Sequence, residues 1–323
     1  MHFKVHSRYF YSKLDSHGQK AYNKILDAWL DYKESVTISG FTGKVNFGDI
    51  VRYVYDDNPE LFYVDYNSVS IMHAPFSSIV SMKLLYGKTQ AERMKQQMRD
   101  VVSRVEKMCK PNLDKEKIVH DFLVQNVKYA SDYYDLRAHG IEGALIDGFA
   151  VCEGYARAFK LLCDAVEIPC IMISGSATDS NGITESHAWN IVRRNKRNYH
   201  VDVTWNCGSH AVSEMPLYYN VPDEYIARNH FWEKNIWPHC DDSSEIDKQI
   251  IPVIGKKSLR DALLSAIKEK RKACVVRFNK KFDSTQDVMD LIEEVLGNTS
   301  ANISSFSSVY VSALDCAIVG LYY

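Results

Sequence analysis

The sequence has no segment that would carry it into or across a membrane. Its first residues, MHFKVHSRYFYSK, lack the run of about 7 to 15 apolar residues that a secretory signal requires. No window reaches the roughly 18 consecutive apolar residues of a membrane-spanning helix. We therefore expect a cytoplasmic protein with no membrane partner, although a chain whose leader had been removed would read the same way.

A large excess of charge of one sign is missing as well. The 323 residues include 39 Lys and Arg against 41 Asp and Glu, so the net charge is −2 at pH 7. Proteins that bind nucleic acid carry a clustered basic excess, and we therefore expect no nucleic-acid partner. Repeats, low-complexity tracts and a calcium loop of the form D-x-D-x-D-G are absent too. Without such a loop we predict no metal requirement and no cofactor.

Cysteine is present but is not arranged as a disulfide framework. The residues are spread along a long chain, at Cys109, Cys152, Cys163, Cys170, Cys207, Cys240, Cys274 and Cys316. Small secreted domains instead pack their cysteines densely. Most of these thiols are therefore expected to be reduced and buried, and any cysteine with different surroundings is a candidate for chemistry.

With 46% hydrophobic residues the chain can bury a large core, and its pattern predicts three segments. Residues 1–110 read as a mixed α/β domain, 111–249 as the core that carries the chemistry, and 250–323 as a small α/β domain. The oligomeric state is not encoded in any pattern that we can read.

The two outer segments show clear helix and strand signals. Ser16 and Gln19 resemble a capping box ahead of an amphipathic helix, and strands are predicted at 62–72 and 78–86 before a helix at 89–108. The tail after residue 250 reads as helix, strand, helix and strand, with serines at 258 and 284 predicted to begin its helices.

The central segment is predicted to place one cysteine at the start of a helix. A helix begins near Asp114, and apolar residues recur with helical spacing over 153–167, so Cys152 falls at the amino end of the second helix. Strand signals follow at 170–177, 187–194 and 199–205. A long loop separates the first two strands and a tight turn the last two, which indicates an antiparallel sheet.

Nucleophilic catalysis by cysteine requires a thiolate, an imidazole beside it and a group that orients the imidazole. The amino end of a helix favours a thiolate by about 0.3 to 1 kcal/mol, although the neighbouring carboxylate of Glu153 opposes it. The glycine at 154 lacks a side chain and is expected to let the sheet approach the thiol. Cys152 is therefore the candidate nucleophile.

Hairpin geometry nominates the other two residues. If Asn195 and Lys196 form a two-residue turn, His187 and Asp202 become diagonal neighbours on one face of the sheet, about 7 to 8 Å apart at the backbone. Asp202 lies within the apolar string VDVTW, where an unpaired carboxylate would be costly. His187 is its expected donor partner.

The motifs AVCEGYA, SHAW and YHVDVTWN, in this order, resemble the core of the transglutaminase-like superfamily, relatives of papain-like cysteine proteases. The resemblance covers about 114–207 and implies an α+β fold in which the helix carrying the nucleophile packs on an antiparallel sheet, with flanking α/β segments. It implies that Cys152 is the nucleophile, His187 the general base and acid, and Asp202 the orienting residue.

The same resemblance implies a two-step reaction on a protein or peptide substrate. The thiolate attacks a peptide or glutamine-type amide, and the resulting thioester passes to water, giving a peptidase or amidase, or alternatively to an amine, giving a transglutaminase. The backbone N–H of Cys152 is expected to bind the oxyanion, and Tyr129 is the candidate for a second donor because it follows the helix before the catalytic loop.

Two alternative interpretations remain. The chain could be a binding module that keeps the fold without the activity. The short spacings of Cys207 with His210 and of His239 with Cys240 could also supply four zinc ligands, although their separation is not that of a standard zinc finger. The ordered set of cysteine, histidine and aspartate favours the enzyme.

Overall fold

The structure is a computed structural model that describes residues 2–39, 46–207, 215–297 and 303–323. The fold is α+β, as predicted, with helices and mainly antiparallel sheets. The chain divides into two compact units, 1–172 and 173–323. The three-domain division drawn from the sequence stays a prediction. Every helix in the described ranges is too short or too polar to cross a lipid bilayer.

The first unit is built around helices. They are α1 (Tyr9–Lys13), α2 (Ser16–Leu30), α3 (Phe47–Asp57), α4 (Lys88–Met108), α5 (Lys115–Asn126) and α6 (Cys152–Ala165). Its strands are β1 (Ser35–Ser39), β2 (Val64–Ala74), β3 (Ser77–Leu84), β4 (Lys128–Tyr129) and β5 (Phe149–Ala150). The first three strands form an antiparallel sheet in the order β1-β3-β2, so the two strands predicted near 62–72 and 78–86 are confirmed.

The cap of α2 lies one residue before the predicted one. Asp15 accepts hydrogen bonds from the backbone N–H groups of His17 and Gly18, at 3.1 and 2.8 Å. The capping box predicted from Ser16 and Gln19 is wrong, because an ionised carboxylate is a stronger acceptor than a hydroxyl and takes the first-turn donors. Ser16 is therefore the first helical residue.

Helix α6 forms the centre of the first unit. Every residue from Gly154 to Asp164 is buried, where the sequence pattern predicted one buried face. The charged side chains inside are paired: the Lys160 Nζ lies 3.0 Å from the Asp164 carboxylate. Such pairing is what allows a charged residue to occupy a core position. The helix is thus fixed on all sides, and so is the position of its first residue, Cys152.

A short irregular stretch leads into α6. Residues Leu136–His139 form a 3₁₀ turn, and residues Gly143–Asp147 form a π-helical turn that ends at Gly148, whose φ of 76° lies in the left-handed region. The chain then forms β5, which pairs in parallel with β4 and places Ala150 beside Tyr129.

The second unit begins with an antiparallel sheet in the order β10-β6-β7-β8-β9. Its strands are β6 (Cys170–Thr178), β7 (Thr184–Arg194), β8 (Arg197–Val201), β9 (Tyr219–Val221) and β10 (His230–Phe231). Short helices connect them: α7 (Val203–Asn206), α8 (Asp223–Ile226) and α9 (Ser244–Asp247). The three strands predicted for the core are therefore present.

The predicted hairpin turn is confirmed. Arg194 pairs with Arg197, and both Asn195 and Lys196 have positive φ, at 51° and 67°, as a two-residue turn between strands requires. The ladder ends at the pair Asn190 and Val201, however, so the strand predicted to reach residue 205 is too long. The chain turns into α7 instead, because the Asp202 side chain caps that helix.

A second sheet and two helices complete this unit. The sheet has the order β11-β12-β14-β13, with strands β11 (Ile250–Val253), β12 (Ala273–Phe278), β13 (Ser305–Val311) and β14 (Cys316–Tyr322). The helices are α10 (Gly255–Lys268) and α11 (Thr285–Gly297). The predicted order of helix, strand, helix and strand missed β11 and merged β13 with β14.

Of the two serines predicted to begin these helices, one is confirmed. Ser284 and Asp287 exchange side-chain to backbone hydrogen bonds of 3.1 and 3.2 Å, which is a reciprocal cap before α11. Ser258 instead lies inside α10, where its hydroxyl accepts from the backbone N–H of Ile254 at 2.6 Å. The prediction for Ser258 is wrong because α10 starts three residues earlier.

We expect that Gly154→Ala destabilises the protein. An added Cβ would lie 2.3 Å from the carbonyl oxygen of Ala138 and 3.0 Å from the Cβ of Ala150. Overpacking of this kind costs about 1 to 3 kcal/mol, beyond the roughly 1 kcal/mol by which alanine favours a helix. Gly297→Ala, in the last turn of α11, where a Cβ would meet nothing within 4 Å, is the matched control. Equal free energies of unfolding for both variants in urea would contradict the account.

Candidate active site

Cys152 is the first residue of α6, as predicted, and its side chain is partly buried. The preceding residue, Val151, makes no side-chain cap, so no capping side chain from this position competes for the backbone N–H groups of the first turn. These groups and the helix dipole favour an anion at this position. The packing of α6 fixes the cysteine at the edge of the first unit's core.

Glu153, whose carboxylate is expected from the sequence to disfavour a thiolate at Cys152, belongs to a network of ion pairs. Its carboxylate lies 2.9 Å from Arg157 Nε on one side and 3.2 Å from His139 Nδ1 on the other. Burial alone would raise the pKa of Glu153, but the charges of Arg157 and His139 lower it to about 2. Two cationic groups therefore offset the negative charge beside Cys152.

His139 is a functional candidate that the sequence did not reveal. Its Nδ1 faces the Glu153 carboxylate and its Nε2 lies 3.0 Å from the carbonyl oxygen of Tyr133. Both nitrogens face acceptors, so both carry protons and the ring is a cation. The hydrogen bond to Glu153 is the main cause that raises the pKa of His139 to about 9, and Cys152 contributes as well.

The pairing of His187 with Asp202 is as predicted. The Nε2 of His187 lies 2.7 Å from Oδ2 of Asp202, and both side chains are buried. The other oxygen, Oδ1, accepts from the backbone N–H of Trp205 at 3.1 Å and so caps α7. Burial alone would raise the pKa of Asp202, but the neighbouring imidazoles hold it well below its usual range. The carboxylate is thus charged and fixed.

Aromatic rings surround His187. Trp189 stacks on it at 5.8 Å between ring centroids, and Trp205 is tilted against it at the same distance. Trp205 also lies in the wall of a cavity of about 410 Å³ that continues to Tyr218 and Tyr310. Both tryptophans therefore pack against His187, and the cavity can hold an apolar group beside Trp205.

A second imidazole, which sequence spacing did not indicate, lies on the same carboxylate. The Nε2 of His230 is 3.0 Å from Oδ2 of Asp202. His230 lies on β10, a two-residue strand that pairs with the far end of β6, at Ala177. The strand is too short to show periodicity, and 28 residues separate the two partners along the chain. Only the buried position of Asp202 in the sequence could have suggested a second donor.

Another histidine and carboxylate pair lies on the other side of Trp189. His200 Nε2 is 2.8 Å from the Asp223 carboxylate, while Trp189 Nε1 donates to His200 Nδ1 at 3.0 Å. His239 approaches Asp223 at 3.5 Å, and the Cys240 thiol is close enough to join the group. Two of the four residues considered as zinc ligands are therefore here, while His210 lies outside the described residues.

The hydrogen bonds of this second group oppose metal binding at His200. Indole N–H is a donor only, so Nδ1 of His200 must accept and its proton must be on Nε2. A metal ligand needs a lone pair at the coordinating nitrogen. A metal bound at Nε2 of His200 would therefore leave two N–H donors facing each other, one from the ring and one from Trp189.

Of the residues predicted to act together, the structure pairs His187 with Asp202 in the second unit. Cys152 and Tyr129 belong to the first unit, where Tyr129 is partly exposed on β4 beside Ala150, two residues before the thiol. The approach of Cys152 to His187, and the role of Tyr129 as an oxyanion donor, stay predictions.

Comparison with known proteins agrees with the resemblance read from the motifs. Residues 99–203 match the family model described as the transglutaminase-like superfamily, and this span includes Cys152, His187 and Asp202. No curated protein matches the chain.

Several solved structures are similar at low identity. A TGase structure shows 12% identity over 53% of this chain and 50% of its own, with a TM-score of 0.29. A protein from Cytophaga hutchinsonii, provisionally named a cysteine protease, shows 13% identity over 40% and 51%, with a TM-score of 0.27. The periplasmic domain of TgpA from Pseudomonas aeruginosa, bound to ethylmercury, shows 16% identity over 46% and 66%, also with a TM-score of 0.27.

The chain spans about half the length of the first two of these structures.

We expect the ion pair of His139 and Glu153 to stabilise the fold in a defined pH range. Because the folded pKa of His139, about 9, lies above the unfolded value of about 6.5, its contribution is complete below pH 6.5 and is lost as the pH rises through 9. The pair is partly exposed, so after allowance for solvent screening the expected effect is about 1 kcal/mol. The comparison is between wild type and His139→Gln, by urea unfolding at pH 6 to 10.

Glu153→Gln provides the control, because it removes the partner that raises the pKa of His139. In that background His139→Gln is expected to change stability by the same amount at every pH. A pH-independent difference in the wild-type background would contradict the assignment of His139 as a cation.

Proposed function

We propose that Cys152, His187 and Asp202, which lie within the residues 99–203 that match the family model of the transglutaminase-like superfamily, form a catalytic triad that cleaves amide bonds. The substrate is a protein or peptide, and the reaction is the hydrolysis of a backbone or glutamine-type amide. The observation that carries the proposal is the buried hydrogen bond of 2.7 Å between His187 and a charged Asp202. A buried carboxylate that orients an imidazole is the part of a triad that is hardest to obtain by chance.

The hydrogen bond assigns each nitrogen of His187 a role. With the Nε2 proton donated to Asp202, the neutral ring carries its lone pair on Nδ1. Nδ1 therefore takes the proton of the Cys152 thiol, giving a thiolate and an imidazolium that the Asp202 charge stabilises. This division of roles needs the imidazole to turn its Nδ1 edge toward Cys152.

The reaction then follows in two balanced steps. The Cys152 thiolate adds to the amide carbonyl, and the imidazolium of His187 returns its proton to the leaving nitrogen as the C–N bond breaks, which leaves a thioester. In the second step His187 removes a proton from water, the hydroxide adds to the thioester, and the thiolate departs with a carboxylic acid as product. If an amine replaces water, the product is a new amide.

Two features of the first unit support this chemistry at Cys152. The backbone N–H of Cys152 at the start of α6 is a donor for the oxyanion, and Tyr129, held beside Ala150, is our candidate for a second donor. His139 is cationic, and the charge of the Glu153 carboxylate is balanced by its ion pairs with His139 and Arg157. The surroundings of the thiol are therefore more favourable to an anion than the sequence suggested.

Transfer to an amine is the second candidate within the same mechanism, and a non-catalytic binding module is the candidate from another class. The module would need neither a reactive thiol nor a charged carboxylate behind the imidazole. Burying such a carboxylate costs several kcal/mol unless it is paired. The presence of a buried, paired carboxylate behind the imidazole therefore favours the enzyme. A cytoplasmic location is also part of the proposal.

We expect Cys152 to react with iodoacetamide at pH 6 at least about tenfold faster than the other cysteines, because it is the thiol paired with an imidazole. His187→Ala and Asp202→Asn are expected to remove the advantage. His120→Leu is the matched control, since His120 is a buried histidine on another carboxylate, Asp121. Peptide mapping by mass spectrometry measures each site, and equal rates at all cysteines would favour the binding module.

Product analysis separates hydrolysis from transfer. We expect incubation with a mixture of peptides and glutamine-containing proteins to give cleaved or deamidated products that Cys152→Ala does not form. Addition of a primary amine, followed by mass spectrometry, tests the alternative: incorporation of the amine in preference to water would show that the protein is an acyltransferase. Absence of every product would contradict the proposed cleavage of protein or peptide amides.

A further inference from the structure

One carboxylate oxygen of Asp202 accepts hydrogen bonds from two imidazoles. The Nε2 atoms of His187 and His230 lie 2.7 and 3.0 Å from Oδ2, and the two rings are 5.4 Å apart in an edge-to-face arrangement. His230 is 1% exposed and Asp202 is not exposed at all. The triad as proposed uses His187 and leaves the role of the second imidazole unexplained.

The protonation of His230 follows from its surroundings. Burial is the main cause that lowers its pKa, and nearby His187 and His200 lower it further, while Asp202 opposes the shift. Because the carboxylate of Asp202 can only accept, Nε2 of His230 carries a proton that is directed at Oδ2.

The other nitrogen of His230 faces the side chain of Asn229. Its Nδ1 lies 2.9 Å from Oδ1 of Asn229, and Nδ2 of the same amide donates to the hydroxyl of Tyr218 at 2.7 Å.

These contacts connect Tyr218, Asn229, His230 and Asp202 through hydrogen bonds. All four side chains are buried, with Tyr218 and Asn229 each 3% exposed. A connected network of buried hydrogen bonds resists rotation of each member. It holds the His230 ring with its Nε2 at Oδ2 of Asp202.

A packing role or a metal-binding role for His230 fits this geometry less well. A histidine that only fills space would not need its Nε2 aimed at a charged oxygen in the proposed site. A metal ion held by His187, Asp202 and His230, whose ligand atoms lie within 4.8 Å of one another, would need a lone pair at both Nε2 atoms. Those two positions carry the protons that the carboxylate accepts.

We propose that His230 is a positioning residue that acts through Asp202 and holds the carboxylate in the orientation that His187 requires. The proposal rests on the proposed triad. Without the second donor, Oδ2 would lose a partner in a buried site, and the carboxylate would turn to find another. The imidazole of His187 would then lose its fixed tautomer and direction.

The test replaces His230 by glutamine, whose side-chain N–H can reach Oδ2, and by leucine, which cannot donate. The rate of Cys152 alkylation by iodoacetamide is measured from pH 5 to 9 for both variants, together with the melting temperature. His230→Leu is expected to react about 10- to 100-fold more slowly below pH 7, the usual loss when an orienting partner is removed. Its profile should also move to higher pH, while His230→Gln stays within about threefold of wild type.

The control separates this effect from a general loss of packing. His120→Leu removes another buried histidine from a carboxylate and is expected to leave the pH profile of Cys152 unchanged. A folded His230→Leu variant that reacts like wild type, or glutamine and leucine variants that are equally slow, would overturn the role of His230. If wild-type Cys152 shows no dependence on His187, the triad itself fails and this inference fails with it.

A measurement on the wild-type protein covers the case in which His230→Leu does not fold. Nitrogen NMR of selectively labelled histidines distinguishes the two neutral tautomers and the cation. The proposal predicts that Nε2 of His230 carries a proton between pH 5.5 and 8. A neutral ring whose proton is on Nδ1 in this range would overturn it.

Discussion

The charge of Asp202 is the constraint on which the second unit depends. A carboxylate with no exposure to solvent costs several kcal/mol unless donors surround it. Three donors do so: the Nε2 atoms of His187 and His230, and the backbone N–H of Trp205. Each is supplied by a different element, β7, β10 and α7. The end of the hairpin ladder, the turn into a helix after Asp202 and the pairing of β10 with β6 can all be understood as ways of bringing these donors to one side chain.

The elements that local chemistry determines could be predicted from the sequence. Helical spacing located α6 with Cys152 at its start, and the pair Asn195 and Lys196 gave the register of the hairpin because a two-residue turn leaves no freedom. The partnership of His187 and Asp202 followed from the cost of an unpaired buried charge. The contacts that could not be predicted depend on tertiary pairing: His230 reaches Asp202 through a two-residue strand, and His139 reaches Glu153 through a 3₁₀ turn.

The sequence misplaced the start of α2 and the end of β8 for the same reason. In both cases a polar side chain accepts hydrogen bonds from backbone N–H groups. Asp15 displaced the predicted cap of α2, and Asp202 ended β8 early by capping α7. Aspartate stabilises either ending, and only the surrounding structure decides which donors it meets. The electrostatics of Cys152 changed in a related way, because Glu153 could be read as an opposing charge until Arg157 and His139 were seen beside it.

The proposed triad requires that the thiol of Cys152 and the imidazole of His187 meet in one site. A dibromoketone with its two bromines on the carbons that flank a single carbonyl tests it directly, because the reagent bridges a thiol and an imidazole only when they lie within a few ångströms. After reaction at pH 6 and proteolysis, the account predicts one cross-linked peptide pair that joins Cys152 to His187. A bridge from Cys152 to His139, or alkylation of Cys152 without any bridge, would contradict it.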